Sequence, residues 1–456
     1  MGKLARIAVV AGITLAATAS IAFASGLTNL GFVAADGTIT ACVQDANGNL
    51  RLIDRGSSSK DLRSCKRGES QLTFNQRGRQ GPQGPQGPQG PQGPQGPAAS
   101  TAPLFVNVDC ASGQSIQAAI NAAEPLRPLT VNVHGTCNES VSIRRDQVTL
   151  QANATGDGIN APTGQSAIQL SGARNINLVG LTLAGGQSGV SAGQSATFQA
   201  SDLHISGVSN GITVGDGADG SVSDTVVDGA TNEGMGAHNG GALTISGGTI
   251  TNVSSGFGVD SQEASSVSIN NGTVVSHCQF IAVYAAFSAS VDVSGATIED
   301  NNGAGVQVGQ AGSVHLWANN PGDIVVQDNA GQGVSIGGNG SAQLHNVVVS
   351  GNAQVGVLVY QGGTVQIEES TVEDNQQSGV AIDSVSSGQI DNSLIEDNQG
   401  DGVNVSNTSV PSFGFPSGNN TITGNSGWGV ICTDASHTEG AAGTVSGNGA
   451  GQVNCP

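Results

Sequence analysis

The sequence predicts a parallel β-solenoid, because one short mark recurs at 22- to 28-residue intervals through the back half of the chain. The mark is a glycine, or once an alanine, followed by an aliphatic residue. The runs between marks are short and β-like, with no helical periodicity. A repeat of this kind is one turn of a solenoid whose strands pair with their copies in the next turn. The marks begin at Gly189, Gly211, Gly234, Gly258, Ala282, Gly305, Gly333, Gly356, Gly379, Gly402 and Gly429.

A second mark is an asparagine that keeps the same spacing in the later repeats. An aliphatic residue stands three positions before each copy. Asparagine tolerates the left-handed conformation of a tight turn, and its amide can pair with an identical neighbour. We therefore expect a structural asparagine ladder at one recurrent turn of the solenoid. Its members are Asn301, Asn329, Asn352, Asn375, Asn398, Asn425 and Asn448.

Composition and charge narrow the classes of function. Glycine supplies 70 of the 456 residues, and charged residues make up only 11%. This composition suits a solenoid, in which equivalent small side chains of successive coils stack on one another. All 14 Lys and Arg residues lie at or before Arg174, and 24 of the 34 acidic residues follow it. A surface of this sign repels nucleic acids and anionic membranes. We expect no nucleic-acid partner.

The segment 1–24 is typical of a signal peptide. Lys3 and Arg6 precede an apolar run over 7–23, and Ala22-Phe23-Ala24 is a small-x-small cleavage site. A single membrane anchor is the alternative interpretation, and no later segment is apolar enough to span a bilayer. The protein is therefore predicted to be exported, to the periplasm, the cell surface or the medium.

Two small modules follow the predicted signal peptide. Residues 25–77 form a basic head that contains Cys42 and Cys65, and residues 78–98 are seven uninterrupted Gly-X-Y triplets. Glycine at every third position is what the axis of a collagen triple helix requires. Seven triplets are few, so a homotrimer through this stalk and a flexible spacer both remain open.

Residues 104–143 are predicted to cap the open end of the solenoid, with an amphipathic helix over 115–124. Four segments of this region and the next coil resemble the start of secreted bacterial right-handed β-helix proteins of the pectin-lyase-like superfamily. They are Val108-Asp109-Cys110, Ser115-Ile116-Gln117-Ala118-Ala119-Ile120, Gly135-Thr136-Cys137 and Val148-Thr149-Leu150. The resemblance covers roughly 104–456. It implies a right-handed parallel β-helix of about a dozen coils within 99–456, and it leaves the activity open because that superfamily holds lyases, hydrolases, epimerases, adhesins and tailspikes.

The seven cysteines predict three disulfides and one buried thiol. Near neighbours in sequence suggest the pairs Cys42–Cys65, Cys110–Cys137 and Cys432–Cys455, and export makes them plausible. Cys278 is left over and lies one repeat before Asn301, in the ladder position. We expect it to face inward as a structural thiol.

The outward residue after each glycine mark gives the first candidate binding column. Asp260, Tyr284 and Gln307 are successive members, and a carboxylate, a phenol and an amide in line suit a sugar. Trp317 is added to this ligand set from the insertion in the 28-residue repeat, since loops carry function more often than coils.

Two further columns hold other candidates. The order Ser223, Thr244, Ser268, Asp292, His315 predicts a stacked Asp292–His315 pair as a catalytic candidate. Asp374 and Asp397 stand one repeat apart beside the ladder asparagines, and a Ca²⁺ ion would relieve their repulsion. No other cofactor is predicted.

The sequence leaves three functions open. The leading hypothesis is a non-enzymatic protein that binds a polysaccharide or a surface partner. The second is an inverting glycoside hydrolase, with its two carboxylates among Asp260, Glu233, Asp224 and Asp228, none of which the sequence singles out. The third is a purely structural spacer. Uronate lyases of the resembled superfamily need a basic residue at the reacting centre, and the chain has none after Arg174.

Overall fold

The computed structural model describes residues 32–75, 102–414 and 419–456. The chain divides into two compact units, the first within 1–96 and the second within 97–456. The predicted signal peptide lies outside the described residues, and so does the Gly-X-Y stalk.

The first unit contains a three-stranded antiparallel sheet. Strand β1 (Thr38–Gln44) lies between β2 (Leu50–Leu52) and β3 (Glu69–Asn75), and helix α1 (Lys60–Arg63) joins the last two. The predicted Cys42–Cys65 disulfide is present and ties β1 to the segment before β3. Cys42 is fully buried, so this bond forms much of the small core.

The second unit is a right-handed parallel β-solenoid in which each turn contributes one strand to each of three sheets. In the described residues each sheet has 14 strands, slightly more than the dozen coils predicted. Sheet I holds the glycine marks: β7 (Val141–Ile143), β10 (Ile168–Ser171), β13 (Ser188–Gly193), β16 (Asn210–Val214), β19 (Glu233–Ala237), β22 (Phe257–Ser261), β25 (Val283–Ala285), β28 (Val306–Val308), β31 (Val334–Ile336), β34 (Val357–Val359), β37 (Val380–Ile382), β40 (Val403–Val405), β43 (Trp428–Cys432) and β45 (Gly451–Asn454).

Sheets II and III complete each turn. Sheet II comprises β4 (Leu104–Asp109), β5 (Leu129–His134), β8 (Val148–Ala152), β11 (Ile176–Val179), β14 (Thr197–Ser201), β17 (Asp219–Ser223), β20 (Ala242–Ser246), β23 (Ser266–Asn270), β26 (Ser290–Val293), β29 (Ser313–Trp317), β32 (Ser341–His345), β35 (Thr364–Glu368), β38 (Ser387–Asp391) and β41 (Val410–Phe413). Sheet III comprises β6 (Thr136–Cys137), β9 (Gly158–Asn160), β12 (Thr182–Ala184), β15 (His204–Ser206), β18 (Val226–Asp228), β21 (Thr249–Thr251), β24 (Thr273–Ser276), β27 (Ala296–Glu299), β30 (Ile324–Gln327), β33 (Val347–Ser350), β36 (Thr371–Glu373), β39 (Leu394–Glu396), β42 (Thr421–Thr423) and β44 (Thr444–Ser446).

The asparagine ladder runs through the turn between sheets III and I. Asn352 is fully buried, and its Nδ2 donates to Asn375 Oδ1 at 2.9 Å and to the carbonyls of Val326 and Ser350. Its Oδ1 accepts from both the backbone N–H and the Nδ2 of Asn329. The side chain therefore satisfies backbone groups of its own coil and links neighbouring coils.

The glycine mark and the asparagine mark share one packing requirement. A Cβ on Gly356 would lie 2.7 Å from Asn375 Nδ2 and 2.7 Å from the carbonyl of Gly379. Gly333 stands in the same relation to Asn352 and Gly356. The strand after the turn passes so close to the ladder that a side chain at this position would collide with it.

Cys278 lies at the head of the ladder, as its position predicted. Its backbone N–H donates to Asn301 Oδ1 at 2.9 Å, and the residue is fully buried. Burial raises the pKa of the thiol to about 11. Such a thiol is a small core side chain rather than a nucleophile.

A helix and two disulfides stabilise the ends of the solenoid. Helix α2 (Ile116–Ala122) buries Ile116 and Ile120, and Ser115 caps it by accepting from the N–H of Ala118. The helix ends two residues before the predicted limit, because Pro125 disfavours helical geometry just before it. The remaining predicted disulfides, Cys110–Cys137 and Cys432–Cys455, close the two ends. Among the described residues, no helix is long and apolar enough to cross a membrane.

Candidate functional site

The predicted ligand set falls on two different faces of the solenoid. Asp260, Tyr284 and Gln307 are partners on β22, β25 and β28 of sheet I. Trp317 ends β29 of sheet II, where its partner is His345. The turn over 309–312 separates Gln307 from the strand of Trp317, and ligand binding by these four residues stays a prediction.

The outward face of sheet II around Trp317 gathers titratable side chains from four consecutive rungs. We call this group the Trp317 face and define it as Asp292, His315, Trp317, His345 and Glu368. His315 Nδ1 lies 2.9 Å from Asp292 Oδ1, so the predicted pair is in contact. Both of its side chains are about half exposed, at 48% and 56%. An exposed pair of this kind contributes little stability.

Trp317 presents a large aromatic surface to solvent. The residue is 48% exposed, and its ring is stacked on that of His345 at 4.2 Å between centroids. His345 Nδ1 lies 3.6 Å from Glu368 and Nε2 lies 3.8 Å from Glu369, both beyond hydrogen-bond distance, and Nδ1 is buried without a hydrogen-bond partner. The imidazole therefore lies between two carboxylates and a half-exposed indole.

A polar column on sheet II leads from an open groove to the Trp317 face. It pairs Asn177, Gln199, Ser221, Thr244, Ser268, Asp292, His315, Gln343, Gln366 and Gln389 in register. The sequence order placed Ser223 beside Thr244, but the partner is Ser221, one outward position earlier. The first three members line two adjoining cavities of about 380 and 470 Å³.

A second group, on sheet I, is buried and acidic. Glu233 and Asp260 are each 4% exposed, and with His238 they offer three ligand atoms that lie within 4.8 Å of one another. His238 Nε2 lies 2.9 Å from Glu233 Oε1. We call Glu233, His238 and Asp260 the acid–histidine cluster. The sequence pointed to both carboxylates but missed His238, which follows β19 directly.

The local sequence explains how the cluster fits into a solenoid rung. Gly236 occupies the outward position between Thr213 and Asp260, so this rung has no side chain there. Glu233 folds into the space, since a Cβ on Gly236 would overlap Glu233 Oε1. Phe257, the partner of Glu233 on the next rung, stacks on Tyr284 at 4.6 Å. Gly236 was the sequence signal that could have revealed the cluster, because it interrupts a column of outward side chains.

The electrostatics of the cluster favour protonation. Burial, reinforced by the charge of Glu233, raises the pKa of Asp260 to about 7. The hydrogen bond to Glu233 raises the pKa of His238 above its ordinary value, with smaller contributions from Asp260 and Glu263. Asp260 Oδ2 accepts from Gln262 at 2.7 Å, whereas Oδ1 is buried without a hydrogen-bond partner.

The separation of the two carboxylates bears on the predicted hydrolase. An inverting glycosidase needs its two carboxyl groups roughly 6.5–9.5 Å apart to admit a water molecule. Oxygens of Glu233 and Asp260 lie within 4.8 Å of each other, and both residues are buried. The close approach of these oxygens does not favour the inverting arrangement, and a catalytic role for the pair stays a prediction.

The predicted calcium pair lies on an exposed edge. Asp374 and Asp397 both adopt left-handed turn geometry, with φ of 54° and 53°. Within the described residues, neither belongs to a group of three clustered His, Cys, Asp or Glu ligands. Burial and the charge of Asp374 raise the pKa of the neighbouring Glu373. Calcium binding here stays a prediction.

Two family models match parts of the chain. One describes a right-handed β-helix region and matches residues 281–444. The other describes a periplasmic copper-binding protein, NosD, and matches residues 139–321. No curated protein matches the sequence significantly.

Two solved structures illustrate the structural likeness. The A-module of mannuronan C-5 epimerase AlgE4 from Azotobacter vinelandii is 15% identical, with a TM-score of 0.44 over 77% of this chain and 94% of that one. The periplasmic alginate epimerase AlgG is 12% identical, with a TM-score of 0.44 over 77% of this chain and 83% of that one.

Proposed function

We propose that this is an exported, non-enzymatic β-helix protein that binds an uncharged polysaccharide along the outward face of sheet II. The observation that carries the proposal is the half-exposed indole of Trp317, stacked on His345 beside a continuous polar column. The apolar N-terminal leader and three disulfides support export.

The chemistry of the face suits sugars. An aromatic ring with one free side stacks on the apolar face of a pyranose, and amide and hydroxyl side chains pair with its hydroxyl groups. Gln343, Gln366 and Gln389 supply amides on three successive rungs beside Trp317. Because rungs stand about 4.8 Å apart, an extended chain meets a polar partner at every rung.

Charge decides which class of polysaccharide fits. The chain after Arg174 carries 24 acidic residues and no Lys or Arg, and Asp292 and Glu368 belong to the Trp317 face. A polyanionic glycan would be repelled at this surface. The ligand we propose is therefore an uncharged one.

Glycan-array binding by the secreted full-length chain tests the proposal. Trp317→Ala is expected to weaken binding about tenfold, because loss of an aromatic stacking contact costs on the order of 1 kcal/mol. Phe105→Ala is the matched control, since Phe105 is 67% exposed on β4 at the far end of the same sheet. Equal binding by wild type and Trp317→Ala would contradict the assignment.

The same experiment separates the alternative functions. New reducing ends on a bound glycan would make the protein a hydrolase rather than a binding protein. If no glycan on any array is retained, the structural spacer is the function that remains. A trimer formed through 78–98 would raise avidity without altering the effect of the substitution.

A further inference from the structure

The acid–histidine cluster has an unbalanced charge. Glu233 and Asp260 are both more than nine-tenths buried, and the chain has no Lys or Arg after Arg174 to neutralise them. His238 offers one positive charge when protonated, which leaves one carboxylate without a counter-charge. Buried carboxylates are strongly unfavourable unless they are paired, protonated or bound to a cation.

The cluster also contains polar atoms that the protein leaves unpaired. Asp260 Oδ1 is buried and has no hydrogen-bond partner. The Thr213 hydroxyl, one rung away beside Gly236, is buried without a partner as well. Thr213 and His238 both line a cavity of about 270 Å³, so the histidine of the cluster borders open space.

We propose that Glu233, His238 and Asp260 form a binding site for one divalent transition-metal ion. Their three ligand atoms lie within 4.8 Å of one another, so one ion reaches all three after small side-chain rotations. Solvent in the adjoining cavity completes the coordination. The ion displaces the proton shared by His238 and Glu233 and occupies the free lone pairs of Asp260.

The donor set defines the class of metal. One imidazole nitrogen and two carboxylate oxygens suit Zn²⁺ and Cu²⁺. Ca²⁺ and Mg²⁺ favour larger shells made of oxygen alone, and the absence of sulfur among these donors disfavours Cu⁺. The inference is independent of glycan binding, since the cluster is on sheet I and the Trp317 face is on sheet II.

Calorimetric titration of the EDTA-treated, secreted full-length chain tests the site, with ZnCl₂ and CuCl₂ as probes and CaCl₂ and MgCl₂ as counter-probes. We expect one Zn²⁺ or Cu²⁺ per chain, with protons released on binding because the ligands must be deprotonated. Electron paramagnetic resonance of the Cu²⁺ form is expected to show coupling to imidazole nitrogen.

Three substitutions locate the site. Asp260→Asn and His238→Gln are each expected to weaken binding at least tenfold. Gly236→Ala keeps all three ligands but displaces Glu233 Oε1, so we expect a comparable loss. His315→Gln is the matched control, because it removes the histidine of an exposed His–Asp pair elsewhere.

Three results would overturn the proposal. The first is absence of transition-metal binding by the wild type. The second is binding that survives both Asp260→Asn and His238→Gln. The third is binding that His315→Gln reduces as much as they do. A circular-dichroism spectrum like that of the wild type shows that each variant is folded.

Discussion

Replacing Asp260 by Asn is expected to stabilise the metal-free solenoid at alkaline pH. The folded-state pKa of Asp260 is about 7, against 3.8 for the free side chain. The folded protein therefore binds more protons between these values than the unfolded chain, and its stability falls as the pH rises. About three pKa units at 1.36 kcal/mol each give a loss of roughly 4 kcal/mol, complete near pH 8.

Asparagine has nearly the same shape and remains uncharged, so the variant escapes this loss. A solenoid of roughly 350 residues unfolds with an entropy of about 0.7 kcal/mol per kelvin, and ~4 kcal/mol then corresponds to about 5 °C in Tm. We expect the variant to melt about 5 °C above the wild type at pH 8 in EDTA, and within about 1 °C of it at pH 4.

Thermal melts at half-unit pH steps measure this difference. Asp292→Asn provides the control, since Asp292 is about half exposed and its charge is solvated. A constant difference between wild type and Asp260→Asn from pH 4 to pH 8 would refute the reasoning. It would mean that Asp260 ionises near its ordinary pKa despite its burial.

Three further predictions concern the scaffold. Asn352→Ala is expected to lower the free energy of unfolding by at least about 3 kcal/mol in chemical denaturation, because it leaves several buried ladder partners unpaired. The exposed control Asn302→Ala should lower it little, and equal losses in the two variants would contradict the ladder's role. Cys278 is expected to resist a maleimide reagent in the native protein and to react once after unfolding without reductant, and fast native labelling would show that the thiol is accessible. Replacing Cys432 and Cys455 by Ser is expected to speed hydrogen exchange in β45 while β31 keeps its protection, and unchanged exchange would show that the disulfide does not hold the last coil.

The architecture could be predicted from sequence because a solenoid repeats its local requirements. Gly356 and Asn375 recur in step since one packs against the other, and such coupled demands leave a periodic trace. Cys278 could be placed for the same reason, as it occupies a ladder position. The first coils, before Gly189, are harder to count from sequence because they lack the glycine mark.

The sites were harder to predict because they depend on exceptions to the repeat. The partnership of Trp317 with His345 spans the 28-residue repeat, whose inserted turn hides the register. His238 joins Glu233 only because Gly236 leaves room for a side chain to fold back. A linear pattern identifies the outward positions but not the direction in which a long side chain turns.

The equal length of three later coils has a consequence for how the chain finds its register. The repeats that start at Gly333, Gly356 and Gly379 are equal in length, so a segment docked one whole repeat out of place meets the same pattern of inward aliphatic residues and ladder asparagines. Local contacts alone would scarcely distinguish this misthreaded form from the native one. The two longer repeats, which start at Gly305 and Gly402, break the translational symmetry because neither has a neighbour of its own length. We expect these two irregular turns to fix the register of the coils during folding. Shortening both to the length of the regular repeats should increase the yield of off-register chains after refolding.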